Sequence, residues 1–222
     1  MADIMLTRNT DKLRLEVATH VAADTIAQGI YWDSISNSGC FIGCLAKSND
    51  PAINEATYGL PVMVQHIAET IFEALPAAEA KAFFAALPDA VKCDGKDLTK
   101  VGWQFLAAEL RSLPNCTDQV QSVIDPVITG MDLLASGQEW AAACAAKAAA
   151  WAAAWAAWAA AWAAWAAADW DAVDAFDAAD AAADAADAAA DWDAVDCDAV
   201  RLRQRDLLLR LISEAPVVEA HQ

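Results

Sequence analysis

Basic residues are scarce in this 222-residue chain, where 14 Lys and Arg stand against 32 Asp and Glu for a formal net charge of −18. Charge of that sign repels phosphate backbones and anionic headgroups, which argues against direct nucleic-acid binding and against a membrane-surface role. Glycine and proline are missing between Gly137 and Pro216, so a third of the chain is free of the strongest helix breakers. The first ten residues hold no apolar run. No secretory leader is therefore expected, and cysteines 40, 44, 93, 116, 144 and 197 are expected as reduced thiols in a cytoplasm. Positions 148–168 are uncharged but contain no Leu, Ile, Val or Phe. Alanine is only marginally apolar and tryptophan prefers the interface, so no membrane span is expected there. Also missing are a P-loop, a GxSxG elbow, an HExxH pair and an EF-hand loop, so no catalytic residue, metal or cofactor is expected.

What fills the breaker-free third is alanine, tryptophan and aspartate: WAAAWAAWAAAWAAWAAADWDAVDAFDAADAAADAADAAADWDAVD. Alanine is the best helix former, and at about 100° per residue Trp140, Trp151, Trp155, Trp158, Trp162 and Trp165 fall on one stripe. The same angular phase turns acidic at Asp180, Asp184, Asp187, Asp191 and Asp198. As one helix, residues 139–199 would run about 90 Å. DWDAVD occurs at 169–174 and again at 191–196, and an Asp cap there offers the rival arrangement, a rod broken into a bundle. Continuity is favoured because no turn residue is present. An indole stripe of this size needs covering, by the rest of the chain or by a second copy, and a homo-oligomer is expected.

Elsewhere the pattern is helical and no stretch sustains two-residue alternation, so the fold class is all-α. Thr10 is placed to cap a helix with Leu13, Val17 and Val21 on one face and Gly29 at its end. The loop from Asp33 to Leu60 is long enough to hide short helices. Pro61 opens a helix with Val64, Ile67, Ile71 and Leu75 on one face, and a shorter one lies between Pro76 and Pro88. Asp97 and Asp118 are candidate caps for two more, the second kinked by Pro126 and closed by Gly137. Three segments result: a helical domain over 1–138, the Ala/Trp/Asp segment over 139–199, and a basic, leucine-rich C-terminal helix and tail over 200–222.

Two places carry chemical potential. SGCFIGC, Ser38 to Cys44, sets two thiols four positions apart, with His20, His66, Cys93 and Cys116 elsewhere to complete a ligand set. Structural zinc normally takes two close pairs and only one is close, and no Cys/His signature surrounds either thiol. The motif therefore reads as a buried small-residue turn. The second place is RLRQRDLLLRLI, where Arg201, Arg203, Arg205 and Arg210 crowd together and Arg203, Gln204 and Arg205 are candidates to grip an anion.

The succession YW, SGCxxGC, YGLP, IFEALP, DLTKVGWQF, the Ala/Trp tract and RQRDLLLRLISEAPV resembles a family of alanine-rich proteins of phages and prophages. The resemblance runs from Tyr31 to Val217 and is carried by Tyr31, Trp32, Ser38, Gly39, Cys40, Gly43, Cys44, Gly59, Pro61, Phe72, Leu75, Pro76, Arg203, Gln204 and Pro216. Members often have a histidine soon after the second cysteine, where this chain reads Leu45, Ala46, Lys47, Ser48. The resemblance implies a phage-borne accessory protein working in the host cytoplasm, with no defined chemistry. A non-enzymatic capture protein is expected, one that binds a small anionic, nucleotide-like signal of host defence. Tyr31, Trp32, Ser38, Cys40, Cys44, Trp155 and Trp162 would line its pocket, with Arg203, Gln204 and Arg205 on the phosphate. The alternatives are an acidic charge mimic that occupies a host defence protein, a structural or oligomerisation protein, and a hydrolase using Cys40 or Cys44.

Overall fold

The computed structural model describes residues 5–113, 118–138 and 197–218, in two compact units, Met1–Gly102 with Asp198–Gln222, and Trp103–Cys197. The Ala/Trp/Asp segment, with its Trp and Asp stripes, lies outside the described residues up to 196. In chain order the elements are α1 (Thr10–Ala23), β1 (Trp32–Asp33), β2 (Ser38–Gly39), α2 (Phe41–Ala46), α3 (Pro51–Tyr58), α4 (Val62–Ala74), α5 (Ala77–Val91), α6 (Val101–Arg111), α7 (Asp118–Ala135) and α8 (Cys197–Glu214). The described residues are thus all-α except for one antiparallel hairpin, in which Trp32 pairs with Gly39 and Asp33 with Ser38. No described helix is long and apolar enough to cross a membrane. The last helix, set apart in sequence, belongs to the first unit from Asp198 onward, and residues from Trp103 belong to the second. In that second unit α7 continues through Pro126, with Gly137 in the left-handed region beyond its end.

Several helix limits differ from the sequence expectation, each for a reason visible at that helix end. Thr10 is the first residue of α1 rather than its cap; its N–H is met at 2.9 Å by Asp94 Oδ1, a carboxylate 84 positions away. The helix stops at Ala23 because Asp24 turns left-handed, φ 51°, and so Val21 near that end is left exposed while Leu13, Val17 and His20 are buried. The loop after Asp33 does hide two short helices, α2 and α3, and Asp50 caps the second through Ala52 N–H. α5 runs through Pro88, where burial of Leu87, Pro88 and Val91 outweighs the one backbone bond that proline forfeits.

The core of the first unit is centred on Phe41, at the start of α2. Its ring lies 6.2 Å from Phe72 on α4 and 5.3 and 5.6 Å from Phe83 and Phe84 on α5, centroid to centroid. Helices α2, α3 and α4 are also joined by buried amides. Asn54 Nδ2 donates to the Ile42 carbonyl and to Gln65 Oε1, and Gln65 Nε2 donates to the carbonyls of Pro51 and Leu60. Buried polar groups bonded this way fix one packing arrangement, because slippage strands donors without water.

Lys96 holds the two ends of the unit together. Its segment is flanked by short antiparallel bridges, Leu6 to Asp97 on one side and Lys96 to Val217 on the other. The side chain is 3% exposed, and its Nζ donates to the carbonyls of Ala90 at 3.2 Å, Ile212 at 3.0 Å and Ser213 at 2.7 Å. These carbonyls lie in the last turns of α5 and α8, where the helix dipoles are negative. All three ammonium protons are used. Burial pulls the Lys96 ammonium below the ordinary lysine range. Replacing it by methionine, close in shape but without donors, leaves two helix C-termini unmet. Lys96→Met is expected to lower the unfolding free energy by about 3 kcal/mol in chemical denaturation. Lys81→Met, which removes an exposed pair with Asp24, should change it by no more than about 1 kcal/mol.

Candidate functional site

The segment from Thr25 to Ala46 folds back on itself as a knuckle, and the residues of SGCFIGC are the reason it can. Gly39 accepts from Ala27 N–H at 2.9 Å and donates to the Thr25 carbonyl at 3.1 Å. Cys40 N–H reaches the carbonyls of Ile30 at 2.8 Å and Tyr31 at 3.2 Å. The Tyr31 carbonyl oxygen thereby enters a gap that only glycine leaves open: a Cβ would stand 2.4 Å from it at Gly39 and 1.4 Å at Gly43. Both thiols serve the same backbone. Cys40 Sγ points to the Tyr31 carbonyl at 3.6 Å and Cys44 Sγ to the Gly39 carbonyl at 3.1 Å. The motif is a tight backbone crossing, two glycines to admit it and two small buried donors to satisfy it.

Helix α4 grips the knuckle from below. Glu69 Oε2 accepts from Ile42 N–H at 3.0 Å, so an acid from another helix caps the first turn of α2, where Cys40 supplies no side-chain cap. One turn on, Glu73 Oε2 accepts from Gly29 N–H at 2.8 Å. Gln28 Nε2 covers the end of α4, donating to the carbonyls of Phe72, Glu73 and Leu75.

Burial sets the chemistry of these groups. Desolvation, reinforced by Glu69, pushes the Cys40 thiol far above its ordinary range, and desolvation pushes Cys44 up to about 12. Both are protonated at neutral pH, and a thiol is a poor nucleophile and metal ligand beside a thiolate. Glu69 is raised to about 6, first by desolvation. The Cys40 sulfur and a carboxylate oxygen from each of Glu69 and Glu73 lie within 4.8 Å of one another, the grouping among the described residues close enough to share a cation. With both carboxylates engaged by backbone N–H groups and the thiol protonated, it is arranged for sharing protons.

The structure thus brings Tyr31, Trp32, Ser38, Cys40 and Cys44 together, with unequal access. The thiols are buried, and Trp32 is half-buried edge-on to His20, centroids 6.0 Å apart. His20 Nδ1 is in turn bonded to Thr25 Oγ1 at 2.7 Å, so this histidine is a core group. Tyr31 is 55% exposed, and Ile35, at the hairpin tip, is 96% exposed. That tip is pinned: Asp33 accepts from Ile35 N–H at 2.9 Å and Ser36 Oγ at 2.6 Å, and the Ser36 and Ser38 hydroxyls meet at 2.7 Å.

The three α8 candidates differ in their surroundings. Arg205 is bound to Glu79 on α5 at 2.5 Å and to Asp206 at 2.8 Å, so it already faces two carboxylates. Gln204 is buried and accepts from Arg201 Nη1 at 3.1 Å, while Arg203 is exposed. Trp155 and Trp162 lie outside the described residues. Behind the knuckle, among Phe41, Val64, Phe83 and Leu208, is an apolar void of about 10 Å³, room for about one water and not for a nucleotide. Sequence reasoning missed Glu69, Glu73 and Gln28. The available signal was Glu69 itself, an acid in the buried arc of an otherwise apolar helix face.

No family model matches this chain, and no curated protein or solved structure matches it either.

Gly43→Ala should prevent the knuckle from closing and reduce stability by more than about 3 kcal/mol. Gly29→Ala, where a Cβ meets open space but φ is +77°, should cost about 1 kcal/mol in the same denaturation experiment. Native thiol labelling read by mass spectrometry should modify the half-exposed Cys93 while sparing Cys40 and Cys44, and unfolding should release both.

Proposed function

We propose that this protein acts by capture rather than turnover, as a phage-type accessory protein that seats its rigid knuckle in an apolar pocket of a host defence protein. The observation that carries this reading is Ile35, 96% exposed on a turn held by three side-chain hydrogen bonds. A single exposed aliphatic side chain is ordinary, but several exposed apolar side chains on one short segment suit a binding surface, and a pinned turn loses little entropy when it docks. Ile30 and Tyr31, also exposed on the knuckle, extend the contact. A net charge of −18 and Asp33 beside the tip disfavour an anionic lipid surface as the covering partner. The protonated, buried thiols support binding over thiol chemistry.

A small anionic, nucleotide-like ligand is the second reading, favoured by exposed Arg203 and by the exposed ring of Tyr31 as a stacking surface. The two separate cleanly. A photo-crosslinker at position 35 identifies the partner, and affinity is then measured with that purified protein. Ile35→Asp is expected to weaken binding at least tenfold, about 1.4 kcal/mol, and Arg203→Ala less than threefold. A nucleotide that raises the melting temperature, with Arg203→Ala abolishing the rise and Ile35→Asp leaving it intact, would replace the protein-partner reading with the small-ligand one.

A further inference from the structure

The buried acids under the knuckle are not needed for docking at its tip, and their placement is unusual. Two carboxylates one turn apart on α4 hold the two ends of the same segment, Glu73 at Gly29 and Glu69 at Ile42, with the Cys40 thiol between them. Glu69 is 9% exposed. Among the described residues, acids act on it from its own helix, Glu73, from the loop, the Tyr31 phenol and Cys40 thiol, and from α2, the Cys44 thiol. Among the described residues no ion pair reaches Glu69 from α3 or α5, which also pack on α4. A buried carboxylate with an acid on each side and no cation beside it is relieved by one event, the arrival of a proton.

We propose that Glu69, Glu73 and Cys40 form a proton-operated clasp, in which uptake of one proton by the carboxyl pair in mildly acidic solution tightens the knuckle onto α4. A protonated Glu69 donates to its neighbour carboxylate while its other oxygen still faces Ile42 N–H, so the repulsion becomes a hydrogen bond and the cap survives. The sign follows from linkage. The folded value, about 6, exceeds the ordinary 4.5, so the stabilisation is fully present below about 4.5 and is lost as pH rises through about 6. The clasp concerns the free protein and stands whether or not the knuckle docks as proposed above.

The test is amide hydrogen exchange of residues 28–44 in the intact protein between pH 7.5 and 4.5, corrected for the intrinsic rate. Protection of Ile42 and Gly29 is expected to rise on acidification, by at most about 30-fold, ten raised to the difference between 6 and 4.5. Glu69→Gln, neutral at every pH, should remove most of that rise. Carbon-detected NMR titration of the wild-type Glu69 carboxyl gives a reading that needs no variant to fold, and its midpoint is expected near 6. A midpoint near 4.5, protection that is flat or falls with acid, or an undiminished rise in Glu69→Gln would each overturn the proposal.

Discussion

A single peptide group, the carbonyl of Tyr31, sets the shape of the first unit's most distinctive part. It is driven into a gap bounded by Gly39 and Gly43 and is met there by the N–H and thiol of Cys40. With that crossing made, α2 must start at Phe41, and Phe41 must enter the core against Phe72, Phe83 and Phe84. Hairpin, short helix and aromatic centre are consequences of one close approach. A buried carbonyl that lost these donors would forfeit on the order of 1–3 kcal/mol, which is why glycine and cysteine both recur in the motif.

Two cations of the first unit are built into its structure. Lys96 is shared by the carbonyl ends of two helices, and Arg205 by Glu79 and Asp206. In a chain so rich in acid, a cation placed at a helix C-terminus or between carboxylates does more for the fold than one left in solvent. The same scarcity bears on Glu69: among the described residues no arginine or lysine forms an ion pair with it, and burial is the largest influence on its state.

Much of this was legible in the sequence, and what was not has a common cause. The apolar face of α4 was readable because Val64, Ile67 and Ile71 repeat at helical spacing and all are buried. SGCFIGC was readable as a small-residue turn, since glycine spacing reports close backbone approach whatever lies opposite. Which backbone approaches was not readable, because Tyr31 comes to Gly43 through the fold. The same holds for Asp94 at the start of α1 and Glu69 at the start of α2: local cap rules look a few residues away, and these caps come from 84 and 27 positions off. The ion pair of Arg205 was unreadable for a related reason, as its partner Glu79 lies 126 positions earlier.

The bridges around Lys96 also bear on the order in which the chain can be assembled. Leu6 and Val217 flank one short strand-like segment, and the helix that completes the unit follows the whole of the second unit in the chain. Residues 103–197 are therefore an insertion within a domain whose two halves must find each other. The pairing of Lys96 with Val217 can thus form only after residues 103–197 have been synthesised, and a chain that stops within them leaves the Leu6–Asp97 bridge without its neighbour on the far side.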